Sequence, residues 1–141
     1  MNTVQFVQKS NNPMPYTLAF RDQKTHLQVL FDGNFRAGDV KHIWEEIQEY
    51  LSDHPSKRVL VEEKPGATAE LLDTTEIYDA AKFFASANIT SGIKVALLYA
   101  EGVSSETLEQ ARFGATVAHN RGFNMRVFEN KDHALAWLLL K

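Results

Sequence analysis

Residues 93–100, IKVALLYA, carry apolar side chains on both alternating faces of an extended chain. Only a strand covered on both sides accommodates such a run, which is the habit of a parallel sheet flanked by helices. The rest of the chain alternates short apolar runs with amphipathic stretches, as that arrangement requires. KRVLVEE (57–63) reads as a second short strand and NMRVFEN (124–130) as a last one. Residues 3–8, YTLAFR (16–21) and THLQVLF (25–31) are strands as well, with NNPMP a break after the first. The polar turn DQK makes 16–31 an antiparallel hairpin, and Asp32, Gly33 and Asn34 end it.

From Asp39 the period becomes helical. Val40, Ile43, Trp44, Ile47 and Leu51 share one face, Lys41, Glu45, Gln48 and Glu49 the opposite one, with Asp39 as N-cap and Pro55 as the stop. A second helix opens within LLDTTEI and turns Ile77, Ala81 and Phe84 inward. Ser104 and Ser105 cap a third, which carries Leu108, Ala111, Ala115 and Ala118 and ends at Gly122. DHALAWLLL is a last helix that buries Leu135, Trp137 and Leu138. The expected fold is α/β: a single domain over residues 1–141, with a mixed sheet, an antiparallel N-terminal hairpin and parallel strands joined by right-handed helical crossovers.

Composition narrows the function. A length of 141 residues suits one core, and 44% hydrophobic with 23% charged residues is an ordinary globular balance. A net charge of -3 gives no basic field for nucleic acid. The absence of cysteine excludes disulfides, thiolate nucleophiles and cysteine metal sites. The first residues lack the apolar core of a signal peptide and no apolar run has membrane-spanning length, so the chain reads as cytoplasmic with no integral membrane segment.

Three short stretches carry a family resemblance: FDGNF before the first helix, LLDTTEI at the second, and FNMRVFENKDHALAWL at the C-terminus. Together they resemble the STAS family, the sulfate-transporter and anti-sigma-factor-antagonist domains, and more closely its stand-alone bacterial STAS-like branch. In the antagonists the corresponding turn resembles Asp-Ser-Ser-Gly, and the first hydroxyl after the aspartate is phosphorylated. The resemblance therefore implies Asp73 as the aspartate, Thr74 as the phosphorylation site and Thr75 as the second hydroxyl, in a module that works through protein partners. Glu76 stands where the family has glycine, and the preceding loop EEKPGATAE is longer than usual. A helix N-terminus favours a phosphate through its free N–H groups and macrodipole, whereas Glu76 opposes one.

The residues also support a reading without phosphate. Asp73 accepts from the backbone near Glu76 and Glu76 reaches back, a capping box with aspartate in place of serine. Elsewhere no catalytic set emerges. The five histidines, His26, His42, His54, His119 and His133, are scattered one per element without metal-ligand spacing. His42 and Glu46, four apart, read as a solvated helix pair, and His119 as a C-terminal charge before Gly122. Ser104 and Ser105 have no neighbouring base. Large apolar groups are abundant on the helices: Trp44, Phe83, Phe84, Phe113, Trp137 and Leu139. Phe83 and Phe84 point about 100° apart, so both cannot face one sheet position. Beyond a wide buried face, the open readings are a homodimer surface and a cleft for an apolar ligand. Residues 62–75 and 99–105, at the carboxyl ends of parallel strands, are where such sheets place ligands.

The chain is thus expected to be a non-catalytic regulatory or binding module acting through a protein partner or as a homodimer, with no cofactor and no metal. The alternative is a carrier or sensor of a small apolar or lipid-like ligand in a helix–sheet cleft. If the 73–76 turn is only a cap, Asp73→Ala should cost about 1 kcal/mol in denaturant unfolding while Thr74→Ala is nearly silent. A larger loss for Thr74→Ala than for Asp73→Ala would contradict the cap.

Overall fold

The computed structural model describes residues 4–7, 16–35, 39–54, 56–63, 68–69, 79, 82, 92–99 and 102–140. In chain order the strands are β1 (Val4–Val7), β2 (Tyr16–Asp22), β3 (Leu27–Phe35), β4 (Arg58–Glu63), β5 (Thr68–Ala69), β6 (Lys94–Leu98) and β7 (Asn124–Phe128). The helices are α1 (Val40–Leu51), α2 (Ser105–Asn120) and α3 (Lys131–Leu138). The sheet runs β1-β2-β3-β4-β6-β7, with the short β5 beside the end of β3. The β1/β2 and β2/β3 pairs are antiparallel, and all others are parallel. This is the expected mixed α/β architecture.

The double-sided burial read from IKVALLYA holds for both central strands. Val59, Leu60 and Ala96 are 0% exposed and Val95 1%, although neighbouring residues point to opposite faces. On one face, Val59 and Val95 join Leu18, Phe20, Leu27 and Val29 of the hairpin, with Trp44, Ile47 and Leu51 of α1 and Ala115, Val117 and Ala118 of α2. On the other, Leu60, Ala96 and Leu98 meet Ala134 and Leu138 of α3, with Phe128, Leu135 and Trp137 partly buried around them. The small side chains of α2 allow close approach to β7, while the eight-residue α3 packs on β4, β6 and β7.

Local signals explain most boundaries. In the β2–β3 turn Lys24 takes φ 69°, and its N–H donates to Asp22 Oδ1 at 2.8 Å, an Asx-type turn. Ser104 Oγ accepts from the Thr107 N–H at 3.1 Å to start α2, and Asn130 Oδ1 accepts from the His133 N–H at 2.9 Å to start α3. Gly122, at φ 95°, ends the α2 region, and the Phe123 N–H returns to the Ala118 carbonyl at 2.9 Å.

Three expectations need correction. β3 continues through Asp32, Gly33 and Asn34 to Phe35, because Tyr16 and Thr17 pair with Gly33 and Asp32, and β5 then pairs with Asn34 and Phe35. Gly33, at φ 116°, bends within the strand rather than ending it. Asp39 occupies the N-cap position of α1, but its side chain makes no cap hydrogen bond. Glu46 is 9% exposed, so it is not the solvated partner of His42 that the helical spacing suggested. Asp79 and Lys82 are helical and exposed, as the outer face of the second helix should be. Its inner residues Ile77, Ala81 and Phe84 lie outside the described residues.

Phe123 is fully buried and meets the Trp44 ring edge-on at 5.2 Å, joining the α2–β7 connection to α1. Phe123→Ala should therefore cost about 3–5 kcal/mol in urea unfolding, with an unchanged m-value. A loss near that of a surface substitution would contradict this packing.

Candidate functional site

The carboxyl ends of β3, β4 and β6 lie side by side, because Phe31 is in register with Glu63 and Glu62 with Leu98. One residue further along β4 and β6, alternation carries Glu63 and Tyr99 to the face that α1 and α2 cover, where Val61 and Leu97 already point. Tyr16 reaches the same end from β2, opposite Gly33, and its ring packs edge-on against Phe31 at 5.6 Å. The N-terminal part of α1 brings Asp39 and the buried Glu46 toward it.

Burial sets the electrostatics of this end. It pushes the Glu63 carboxyl from its ordinary 4.5 to about 7. Burial, and then the Glu63 charge, raise the Tyr99 phenol well above its usual range. Tyr16 is pushed up to about 12 by burial first, then by Glu46 and Asp39. Tyr16 is only 6% exposed, yet its hydroxyl has no hydrogen-bond partner among the described residues. A buried hydroxyl left unpaired costs on the order of 1–3 kcal/mol, so the Tyr16 oxygen is available to a group beyond the described residues. Near neutral pH the two phenols are donors, and Glu63 can be either acid or base.

The opposite end holds a second polar cluster with the composition of a hydrolase triad. His54 Nε2 lies 3.1 Å from Asp22 Oδ1, and Ser56 is two residues away. The geometry is structural. Ser56 Oγ donates to the Thr25 carbonyl at 2.8 Å, while its backbone N–H donates to His54 Nδ1 at 3.1 Å. The cluster ties the β2–β3 turn to the start of β4 and leaves no hydroxyl aimed at the imidazole. Asp22 is held below the usual carboxylate range, chiefly by the Lys24 N–H and then by His54. On the α3 face Glu62 accepts from Gln28 Nε2 at 2.7 Å, and Lys131 Nζ is 3.9 Å away. Among the described residues no group of three His, Asp or Glu side chains converges as a metal site.

Asp73, Thr74, Thr75 and Glu76, and also Phe83 and Phe84, lie outside the described residues. Ser104 is the expected cap: besides its bond from the Thr107 N–H, its hydroxyl donates to Thr107 Oγ1 at 2.8 Å. Sequence reasoning pointed to the carboxyl ends of the parallel strands as the place for a ligand but did not single out Glu63, Tyr99 or Tyr16, which lie there. A usable signal existed for Glu63: two consecutive glutamates close an apolar strand, and period two must send one of them to the helix-covered face.

No protein-family profile matches the chain, and no curated protein matches it. Among solved structures it is similar to an uncharacterised protein from Shewanella loihica, of the DUF3478 family and with a SpoIIAA-like fold. The two are 17% identical, with a TM-score of 0.50, and the match covers 93% of this chain and 99% of the other. The fold is SpoIIAA-like. The STAS-like architecture implied by FDGNF, LLDTTEI and the C-terminal stretch is therefore the one this chain adopts. Among the described residues no helix is long and apolar enough to cross a membrane.

Glu63 makes stability depend on pH. Below pH 4.5 it is protonated in both folded and unfolded chains, and its burial carries no ionic penalty. As pH rises from 4.5 to about 7 the unfolded chain ionises first, and the fold loses roughly 2–3 kcal/mol once solvent screening of a half-buried carboxyl is included. Glu63→Gln should flatten this part of the stability–pH curve and exceed wild type above neutrality, read from urea midpoints across pH. Parallel curves for the two proteins would show that Glu63 is not buried as a carboxyl.

Proposed function

We propose that this chain is a non-catalytic regulatory module of STAS-like type that works by binding a partner protein. The observation that carries the reading is the SpoIIAA-like order of strands and helices. Between β5 and β6 the sequence carries Asp73, Thr74, Thr75 and Glu76, the stretch that resembles the phosphorylated turn of the antagonists. Thr74 is then a regulatory hydroxyl at a helix N-terminus, and a phosphate there changes partner binding through charge rather than by melting the fold. The arrangement of Ser56, His54 and Asp22 also supports a non-catalytic reading, since the serine hydroxyl is spent on the Thr25 carbonyl.

A second reading is favoured by Tyr16, Glu63 and Tyr99. Glu63 acts on Tyr99, Tyr16 enters the same end of the sheet from β2 beside Phe31, and the Tyr16 hydroxyl lacks a partner among the described residues. Such a site suits a small, mainly apolar molecule bearing a carbonyl or hydroxyl oxygen. The module would then sense that molecule.

Native mass spectrometry of the protein isolated from its own cells separates the two, because it reports phosphate, ligand and partner together. The regulatory reading expects Thr74→Glu and Thr74→Ala to shift capture of the co-purified partner in opposite directions. It fails if Thr74 and Thr75 are unmodified across growth conditions and both substitutions leave capture unchanged. A bound small molecule lost in Tyr16→Phe would then support the sensor instead, and turnover abolished by Ser56→Ala would overturn both.

A further inference from the structure

β7 ends the sheet, pairing with β6 on one side and with no described strand on the other. The Phe128 carbonyl accepts from the Tyr99 N–H at 3.0 Å and so points toward β6. Alternation then turns the N–H and C=O groups of Met125 and Val127 outward. An open groove of about 550 Å³ runs along this edge, bounded by β7 from Asn124 to Phe128, by Arg112, Ala115, Thr116 and His119 of α2, and by Trp137 of α3. The two helices pack on the faces of β7, and the groove between them borders its open edge.

The slot has a charge. Arg112 and His119 border it on the α2 side, and Arg126 lies 5.8 Å from the Trp137 ring on the α3 side, where Lys94 also sits 4.4 Å from the same ring. Among the described residues the acid in contact with this group is Glu129, 2.8 Å from Arg112, in a pair whose side chains are 52% and 57% exposed. Exposed pairs of this kind contribute little and exchange readily for another carboxylate. A cationic edge is a local departure in a chain of net charge -3.

We propose that β7 is a docking edge for an extended, acidic segment of a partner protein, which adds to the sheet as a further strand. Met125 and Val127 supply the ladder hydrogen bonds, as in other strand-addition complexes. Alternate side chains of the segment lie over the small Ala115 and Thr116, with carboxylates reaching Arg112 and His119. The remaining side chains face Trp137 and Arg126. Neither protection against aggregation nor self-pairing fits the edge as well. A charged residue on an edge strand can simply discourage aggregation, which accounts for Arg126 but not for the slot between the helices or for Arg112 and His119. A second copy of the chain, paired β7 to β7 across a twofold axis, brings the same arginines toward their own copies. The inference rests on the reading of this chain as a protein-binding module, but not on the 73–76 turn.

The test is selection of randomised linear peptides displayed against the full chain, followed by amide hydrogen exchange with a selected synthetic peptide. Enriched sequences should lack proline and carry Asp or Glu at alternate positions. The bound peptide should slow exchange at Met125 and Val127, and N-methylation of its ladder-forming amides should abolish binding. Arg112→Glu combined with Arg126→Glu should weaken binding about tenfold or more at unchanged melting temperature, and replacing the peptide's acids with lysine should restore it to that variant. If the double variant does not fold, Arg126→Gln alone should still lower affinity and reduce its salt dependence. The proposal is overturned by no enrichment, by enriched peptides without acidic preference, or by binding that leaves Met125 and Val127 exchange unchanged. It is also overturned if these amides are protected in a concentration-dependent dimer without peptide, which would assign the edge to a second copy. Thr74-dependent partner capture that survives such a result would leave the regulatory reading standing and remove only the edge.

Discussion

The fold depends on burying β4 and β6 on both faces. Val59 with Val95, and Leu60 with Ala96, are sealed on opposite sides of the same strands. Neither helical layer can be removed without exposing one of these sets, and each fully buried aliphatic side chain is worth about 1.5–3 kcal/mol relative to exposure. The parallel pairing follows from the same need, because chain that must pass over a face to cover it re-enters the sheet in the same direction. The antiparallel hairpin extends the sheet on one side. There Phe20 stacks on Tyr50 at 4.3 Å, continuing the α1-covered core outward from the centre.

Coverage is uneven, and the uneven places are the chemically informative ones. At the carboxyl ends of the strands the apolar pattern gives way to Glu62 and Glu63 on β4 and to Tyr99 after β6, yet this region is still partly shielded from water. Glu62 turns to the α3 face and finds Gln28 and Lys131. Glu63, one residue on, turns to the α1 and α2 face, and burial alone accounts for its raised pKa. The same dipeptide thus yields a satisfied structural acid and a proton-responsive one, separated only by the pleat of the strand. At the far side of the sheet, α2 and α3 cover the faces of β7 but not its edge.

Much of this was legible in the sequence where one local rule governs. The order of strands and helices, the antiparallel hairpin, the Ser104 cap and the Gly122 terminus all follow from period, turn chemistry and capping, and they agree with the structure. The misreadings occur where long-range pairing overrides a local signal. Asp32, Gly33 and Asn34 look like a turn, but β2 and β5 hold them in a strand. Glu46 looks solvent-facing in a charged helix, but it packs at the end where Tyr16 enters from another element. The carboxyl end was proposed as a site from a general property of parallel sheets, whereas which residues line it depends on which of two adjacent side chains faces inward, a choice fixed by register with β3 and β6.

The histidines illustrate why composition alone misjudges chemistry. Scattered along the sequence, His26 and His54 carry no motif, yet they are 8% exposed each and belong to the same end of the sheet. His26 is held below its ordinary pKa, first by burial and then by Lys131 and His54, so it favours the neutral form. His54 has the Asp22 carboxylate at Nε2, and both the N–H and the carbonyl of Ser56 lie 3.1 Å from Nδ1. Neutral imidazole can accept from that N–H, and protonated imidazole can donate to that carbonyl, so the bridge between hairpin and β4 has a partner in either state. An Asp–His–Ser set placed this way secures a turn, because the hydroxyl that a nucleophile would need already donates to the backbone. The proton-responsive carboxyl, and the Tyr16 phenol that has no partner among the described residues, lie at the other end. The two ends of one sheet therefore differ in kind, with hydrogen bonds that tie the hairpin to β4 at the amino ends of the parallel strands and a buried, proton-responsive carboxyl at the carboxyl ends.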